Sequence, residues 1–162
     1  MDILWAPWRM EFILSEKTQE CIFCRKVKTD DDRAEHVLYR GQHGFIVLNL
    51  YPYNNGHLLV APYRHVPSTE DLTPDELTEL LTLVNKGLGV LRRTLHPHGF
   101  NLGVNLGKVA GAGVEAHVHI HIVPRWEGDT NFMPLVAQTR VIPQWIDETY
   151  DQLRQALDSA AR

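Results

Sequence analysis

Histidines stand at 117, 119 and 121 in the run HVHIHIVPRW, separated by Val118 and Ile120 and followed by Ile122. Side chains alternate along an extended chain, so His117, His119 and His121 share one face. Val118, Ile120 and Ile122 take the other and read as core. An imidazole removed from water needs a hydrogen bond, a metal or an anion. A single histidine so placed is an ordinary core residue, whereas three in alternation ask for chemistry. Imidazole is a common zinc ligand, but alternate residues on a strand stand about 6.5–7 Å apart by Cα. Three ligands from one flat strand would therefore strain the shell of one metal. Phosphoryl chemistry places the residues more easily: one neutral imidazole attacks phosphorus while its neighbours hold oxygens.

The elements that must position these side chains follow from pattern. Strands are expected at 36–41 and 45–52, with YNNG (53–56) as the turn into a third strand at 57–63 and an antiparallel pairing of the second and third. TPDE (73–76) has the marks of a helix start: Thr73 as N-cap, Pro74 at the first position and Glu76 closing a capping box. Leu77, Leu80, Leu81, Val84, Leu88, Leu91 and Leu95 then recur near a 3.6-residue period, predicting a helix to about Thr94 with that stripe buried. A fourth strand is expected at 99–107, a glycine-containing loop at 108–116, and the fifth strand at 117–126. A last helix is expected from about Pro143, with Ile142, Trp145, Ile146, Thr149, Leu153 and Leu157 inward. This order predicts an α+β fold with an antiparallel sheet.

The triad run is similar to the signature of the histidine triad (HIT) family. Upstream, NLYPYNNGHLLVAPYRH resembles the paired strands of the same family, matching at Asn49, Pro52, Gly56, His57, Leu59, Val60, Pro62 and His65. Together these cover about residues 45–126. LWAPWRMEFI and PRWEGDTNFMP resemble the bacterial diadenosine tetraphosphate phosphorylase branch, which extends the likeness over nearly the whole chain. The resemblance implies one HIT domain over 1–162, with a five-stranded antiparallel sheet, a long helix and a C-terminal helix. It also implies a homodimer whose sheets join into one.

For activity, the resemblance implies a nucleotidyl hydrolase or phosphorylase acting on dinucleoside polyphosphates. His119 would form a covalent nucleotidyl-imidazole intermediate, which water or phosphate resolves. A backbone carbonyl would hold the other ring nitrogen of His119. His121 and His57 would contact phosphate oxygens, with His117 in the same catalytic set. Asn49 either binds ribose hydroxyls or caps the turn, and Phe45 and Leu48 lie nearby as base contacts. Asn105, Ala112 and Gly113 fall in the loop that would meet the phosphate. Many family members carry Gln or Ser where this chain has Gly113, so main-chain N–H donation near Ala112 and Gly113 is expected instead. Rivals in the same fold are a nucleoside phosphoramidase and a nucleotidylyltransferase. Outside catalysis they are an adenine-nucleotide sensor and a zinc-stabilised interaction module.

Cys21 and Cys24 form a C-x-x-C pair. Two reduced thiols would explain it without a metal. By the resemblance, the pair joins His65 and His117 around a structural Zn²⁺, four protein ligands leaving no open position for water. His36 and His43 are competing ligands. No organic cofactor is implied.

Composition limits the rest. The chain of 162 residues is 44% hydrophobic and 22% charged, ordinary for one globular domain. A net charge of −4 gives no field to gather a nucleic acid polymer. No run reaches the roughly 18–20 apolar residues of a membrane span. The start, MDILWAPWRMEFI, lacks the pattern of a signal peptide, and two cysteines make no disulfide framework, so a cytoplasmic location is expected. Trp5 and Trp8 read as core or dimer contacts. Trp126 is a candidate wall of the substrate pocket, and Phe132 belongs to a segment that would close over the site.

Overall fold

The structure, a computed structural model, describes residues 20–129 and 142–160. Trp5, Trp8 and Phe132 lie outside them. The sheet grows from its central hairpin. Strand β2 (Gly44–Leu48) pairs antiparallel with β3 (Leu58–Pro62), Phe45 opposite Ala61 and Val47 opposite Leu59. Their connection needs a left-handed residue, which Gly56 supplies with φ of 72°. Strand β1 (Val37–Arg40) adds outside β2, and β5 (Ile120–Arg125) pairs with β3. Strand β4 (Gly99–Val104) closes the far side against β5. The order is β1-β2-β3-β5-β4 with every pairing antiparallel, so β1 and β4 are the edges. The expected α+β architecture of a five-stranded sheet, a long helix and a C-terminal helix is present.

Alternation gives the sheet two faces. Ile46, Leu48, Leu58, Val60 and Ile122 meet two helices, α2 (Pro74–Leu95) and α3 (Ile146–Ala160), in the larger core. Phe45, Val47, Leu59 and Ala61 meet Phe23 of a short helix, α1 (Ile22–Lys28), on the other face. Leu59 lies opposite His121, so the second face is the one that carries chemistry. Helix α1 has no periodic signature in the sequence. It is held by Lys26, whose buried ammonium donates to the Glu35 carbonyl (2.6 Å) and carboxylate (3.0 Å). Among the described residues no helix is long and apolar enough to cross a membrane.

The capping box at the start of α2 forms as expected: Glu76 N–H donates to Thr73 Oγ1 (3.3 Å) and Thr73 N–H to Glu76 Oε2 (2.7 Å). Arg64 adds a two-pronged contact to the same carboxylate at 2.6 and 2.7 Å. Arg64 and these backbone donors hold the Glu76 carboxyl down at about 2. The segment that carries His65 is thereby tied to the helix start.

The buried stripe of α2 differs from the expected one. Leu80, Val84 and Leu91 are buried as expected, joined by Leu83, Gly87 and Val90, whereas Leu77 and Leu81 are exposed, Leu81 at 61%. The helix has apolar residues on more than one face, and close approach to the sheet selects between them. A Cβ at Gly87 would lie 2.9 Å from Ile122 Cδ1, so this face alone lets the helix settle onto β5. In α3, Trp145 precedes the first turn and is 73% exposed rather than inward. Tyr150 fills the inner position and donates its hydroxyl to the Val37 carbonyl at 3.0 Å.

The fifth strand is shorter than the 117–126 expected. Its ladder to β3 ends at Ile120 opposite Val60. Two residues further along β3 lies Pro62, which has no N–H to continue the pairing. Val118 N–H instead donates to the Val66 carbonyl at 2.7 Å. The fourth strand likewise ends at Val104, before the expected 107.

Candidate active site and metal centre

Hydrogen-bond polarity identifies the bare nitrogen of His119. His119 Nδ1 lies 2.9 Å from the His117 carbonyl oxygen, which can only accept, so Nδ1 carries the proton. Nε2 is then the bare nitrogen. It makes no hydrogen bond among the described residues and, unlike His121 Nε2, is not shut away from solvent. The residue is only 6% exposed. Its ring lies between those of Phe23 (4.9 Å between centroids) and His121 (4.8 Å). Burial holds the His119 pKa below the usual imidazole range, partly opposed by the bond to His117. The ring is therefore neutral at pH 7, with a bare Nε2 that has the chemistry of a nucleophile.

A second chain of bonds orients the neighbours. Tyr53 N–H donates to His57 Nδ1 at 3.0 Å, and the Asn49 amide approaches the same nitrogen at 3.2 Å. His57 must then carry its proton on Nε2, which lies 3.0 Å from His121 Nδ1 and donates to it. This leaves the His121 proton on Nε2, a buried donor with no partner among the described residues. Such an orphan is costly unless an acceptor arrives. Burial first, and then His119, push the His121 ring down to about 4, so it stays neutral at pH 7. The Tyr53 ring stacks on His121 at 5.9 Å and 11°. Asn49 also accepts from Tyr51 N–H at 3.0 Å, so its side chain caps the turn and braces His57.

The cysteine pair meets the histidines. Cys21 is the N-cap of α1 and Cys24 follows one turn later, so both thiols leave the helix on one side. Cys24 Sγ lies 3.2 Å from His65 Nδ1, and His117 Nδ1 lies 3.5 and 3.7 Å from the thiols of Cys21 and Cys24. The four ligand atoms all fall within 4.8 Å of one another. Bond lengths of about 2.0–2.3 Å to a tetrahedral zinc imply separations of roughly 3.3–3.8 Å, so a small contraction would close the shell. His117 Nε2 donates to the Pro62 carbonyl at 2.8 Å, turning the Nδ1 lone pair to the thiols. A Cys₂His₂ donor set of this kind fits a structural zinc. His36 and His43 do not join it: His36 Nε2 faces Asp147 Oδ1 at 2.9 Å, and His43 lies outside the cluster.

Other expected contacts sit differently. Leu48 faces the helix-covered core and is 3% exposed, because strand alternation sends it away from the triad face. Phe45 is on the triad face but wholly buried, between Phe23 and a stacked Tyr63. Neither presents surface to a base. Asn105 Nδ2 donates within its own loop to the Gly111 carbonyl at 3.4 Å. Ala112 N–H is used by the Gly107 carbonyl (3.3 Å), leaving Gly113 as the open end of the loop, with nothing within 4 Å of its Cβ position. Trp126 donates Nε1–H to the Leu95 carbonyl at 3.3 Å and so caps the end of α2 rather than lining the site. Phe23 and Tyr53 were not singled out in the sequence. Their only signals are position: Phe23 lies inside the C-x-x-C, and Tyr53 lies four residues before His57.

These assignments predict a proton pattern. In ¹⁵N-histidine NMR from pH 8 to 5, His119 shows an Nδ1–H ring, whereas His57 and His121 show Nε2–H rings and His121 stays neutral. The lowered His121 pKa also means that the unfolded chain takes its proton near 6.5 and the folded protein only near 4. Its effect on folding is therefore absent above about 6.5 and becomes destabilising as the pH falls toward 4. Protonation of His121 near 6.5, or an Nδ1–H form of its ring, would refute the chain.

Residues 31–128 match the family described as HIT domain. An AP-4-A phosphorylase of Mycobacterium tuberculosis is 41% identical over 155 residues, spanning 90% of this chain and 79% of that protein. An asymmetrical bis(5'-nucleosyl)-tetraphosphatase of Schizosaccharomyces pombe is 42% identical over 103 residues, 64% of this chain and 56% of that protein. The crystal structure of a Zn-bound histidine triad family protein from Mycobacterium smegmatis superposes with a TM-score of 0.70 at 29% identity, covering 88% of this chain and 96% of that one. With the family match spanning most of the chain and the triad in place, the chain belongs to the histidine triad family.

Proposed function

We propose that the chain is a nucleotide hydrolase or phosphorylase that cleaves dinucleoside polyphosphates of the diadenosine tetraphosphate type through His119. One observation carries the reading: a bare His119 Nε2 stands beside His121, whose buried Nε2–H lacks an acceptor. A phosphate whose phosphorus meets the first nitrogen offers an oxygen to the second. The phosphorylase and tetraphosphatase relatives support the substrate class.

In the first step His119 Nε2 bonds to the α-phosphorus, and the bridging P–O bond breaks to release a nucleoside polyphosphate. The imidazole gains positive charge as it does so, which strengthens its Nδ1–H bond to the His117 carbonyl. His121 Nε2–H donates to a non-bridging oxygen, and His57 fixes the tautomer that makes this possible. In the second step an oxygen of water or phosphate bonds to phosphorus and the N–P bond breaks; attack by water also releases a proton. Gly113 N–H, at the open end of the loop, is positioned to serve as a main-chain donor to phosphate. The Asn49 amide, already bracing His57, is the group assigned to the ribose.

The Cys21, Cys24, His65 and His117 cluster is assigned a structural zinc, supported by the donor set and by the zinc-bound relative. Four protein ligands leave it no catalytic position. The oligomer is assigned as a homodimer through the β4 edge. Leu102 (51% exposed) and Val104 on that strand expose apolar surface where a second copy would extend the sheet.

His119→Ala is expected to abolish turnover of diadenosine tetraphosphate, a loss of at least about a thousandfold by analogy with removal of other nucleophiles. For the wild type, products with and without phosphate separate the acceptors: ADP that appears only with phosphate marks phosphorolysis, and AMP in its absence marks water attack. Tight nucleotide binding with no cleavage of any dinucleotide tested would make the protein a sensor instead. Replacing Cys21 and Cys24 with Ser is expected to remove zinc, read by elemental analysis, and to lower the melting temperature. A wild type free of metal that melts with the double variant would refute the zinc. Leu102→Asp is expected to convert a dimer to a monomer in light scattering; a monomeric wild type rejects the dimer.

A further inference from the structure

His117 serves both centres at once. Its ring points Nδ1 at the two thiols, and its main-chain carbonyl accepts the proton of His119 Nδ1. A single hydrogen bond holds a ring at one atom and leaves it free to pivot about that contact. The plane of His119 must be set by packing on its faces. His121 packs at 4.8 Å and 56°, and Phe23 packs at 4.9 Å and 41°. The same Phe23 ring lies 5.1 Å from the His117 ring, is completely buried, and is backed by Phe45 at 6.3 Å. Phe23 also lies inside the C-x-x-C turn, two residues after Cys21 and directly before Cys24, both candidate metal ligands. The turn that closes around a metal therefore presses an aromatic ring against the imidazole that does the chemistry.

We propose that Phe23 is a positioning residue for His119, through which the cysteine turn sets the direction of Nε2. The inference rests on His119 as nucleophile. A ring plane that wanders displaces Nε2 by about an ångström, and a displacement of that size costs up to about a hundredfold in rate when the attacking atom is misplaced. Substrate contacts made by His121 and the loop are untouched, so the loss falls on kcat and not on KM.

The test compares Phe23→Leu, which keeps apolar bulk without the flat ring, with Phe23→Ala. The expected result with diadenosine tetraphosphate is a fall in kcat of about tenfold for Leu and up to about a hundredfold for Ala, with KM within about threefold of wild type and zinc content unchanged. In ¹⁵N NMR of the substrate-free protein, the His119 ring is expected to keep its Nδ1–H form while its ring resonances shift and broaden as the plane is released. If Phe23→Ala does not fold, Phe23→Leu decides. The proposal is overturned by a kcat within twofold of wild type and unchanged His119 ring resonances. It is equally overturned by a loss confined to KM, or by a fall in kcat that only tracks loss of zinc. Should His119→Ala retain turnover, the function proposed above fails, and the NMR result alone then judges Phe23.

Discussion

The bond from His119 Nδ1–H to the His117 carbonyl is the constraint on which the site depends. It decides which nitrogen of the central imidazole is bare, and it is available because the strand ladder stops in time. Pairing of β5 with both neighbours, β3 and β4, ends at Ile120, and Pro62 offers no N–H to extend the first. The carbonyl of His117 thus lies beyond the ladder and is free to take a side chain. The proline does a second service, since its own carbonyl holds His117 Nε2–H. One break in a sheet supplies the acceptor for His119 and the tautomer of a candidate metal ligand.

Electrostatics on this face follow from burial rather than from charge pairs. His117, His119 and His121 all have their pKa values pushed down, with loss of solvation as the leading cause in each. Neutral rings can donate at one nitrogen and accept at the other, so a directional chain of bonds can form. Protonated rings would only donate, and the His57–His121 contact at 3.0 Å would become a repulsion. The apolar cluster of Phe23, Phe45, Val47 and Leu59 therefore sets protonation as well as stability. An anion approaching this face finds aimed N–H groups instead of a positive patch, consistent with an acidic chain that handles a phosphate locally.

The cysteine turn and the triad belong to one packed layer on the sheet. Helix α1 is only seven residues long, too short to persist alone, and draws its order from the layer beneath it. Phe23 and the Lys26–Glu35 pair anchor it to the sheet and to the loop before β1. The Arg64–Glu76 contact fixes the other side of the cluster by tying the segment next to His65 to the start of α2. A zinc at this position would join elements that the protein has already brought within about an ångström of a closed shell.

Much of this was legible in the chain itself. Period-two alternation placed His117, His119 and His121 together, the YNNG turn set the central hairpin, and TPDE marked the start of α2, because these signals arise between near neighbours. The spacing of Cys21, Cys24, His65 and His117 became one cluster only through the resemblance to a known family, since residues 93 and 96 positions apart carry no local sign of contact. Which apolar face of α2 is buried, why Leu48 and Trp126 serve packing and capping, and why Phe23 rests on His119 were settled by tertiary structure alone. Each depends on how closely a helix can approach the sheet or on which carbonyl is left without a partner. Short-range chemistry wrote the identity of the reactive groups into the sequence, whereas the direction each nitrogen points is fixed by long-range packing.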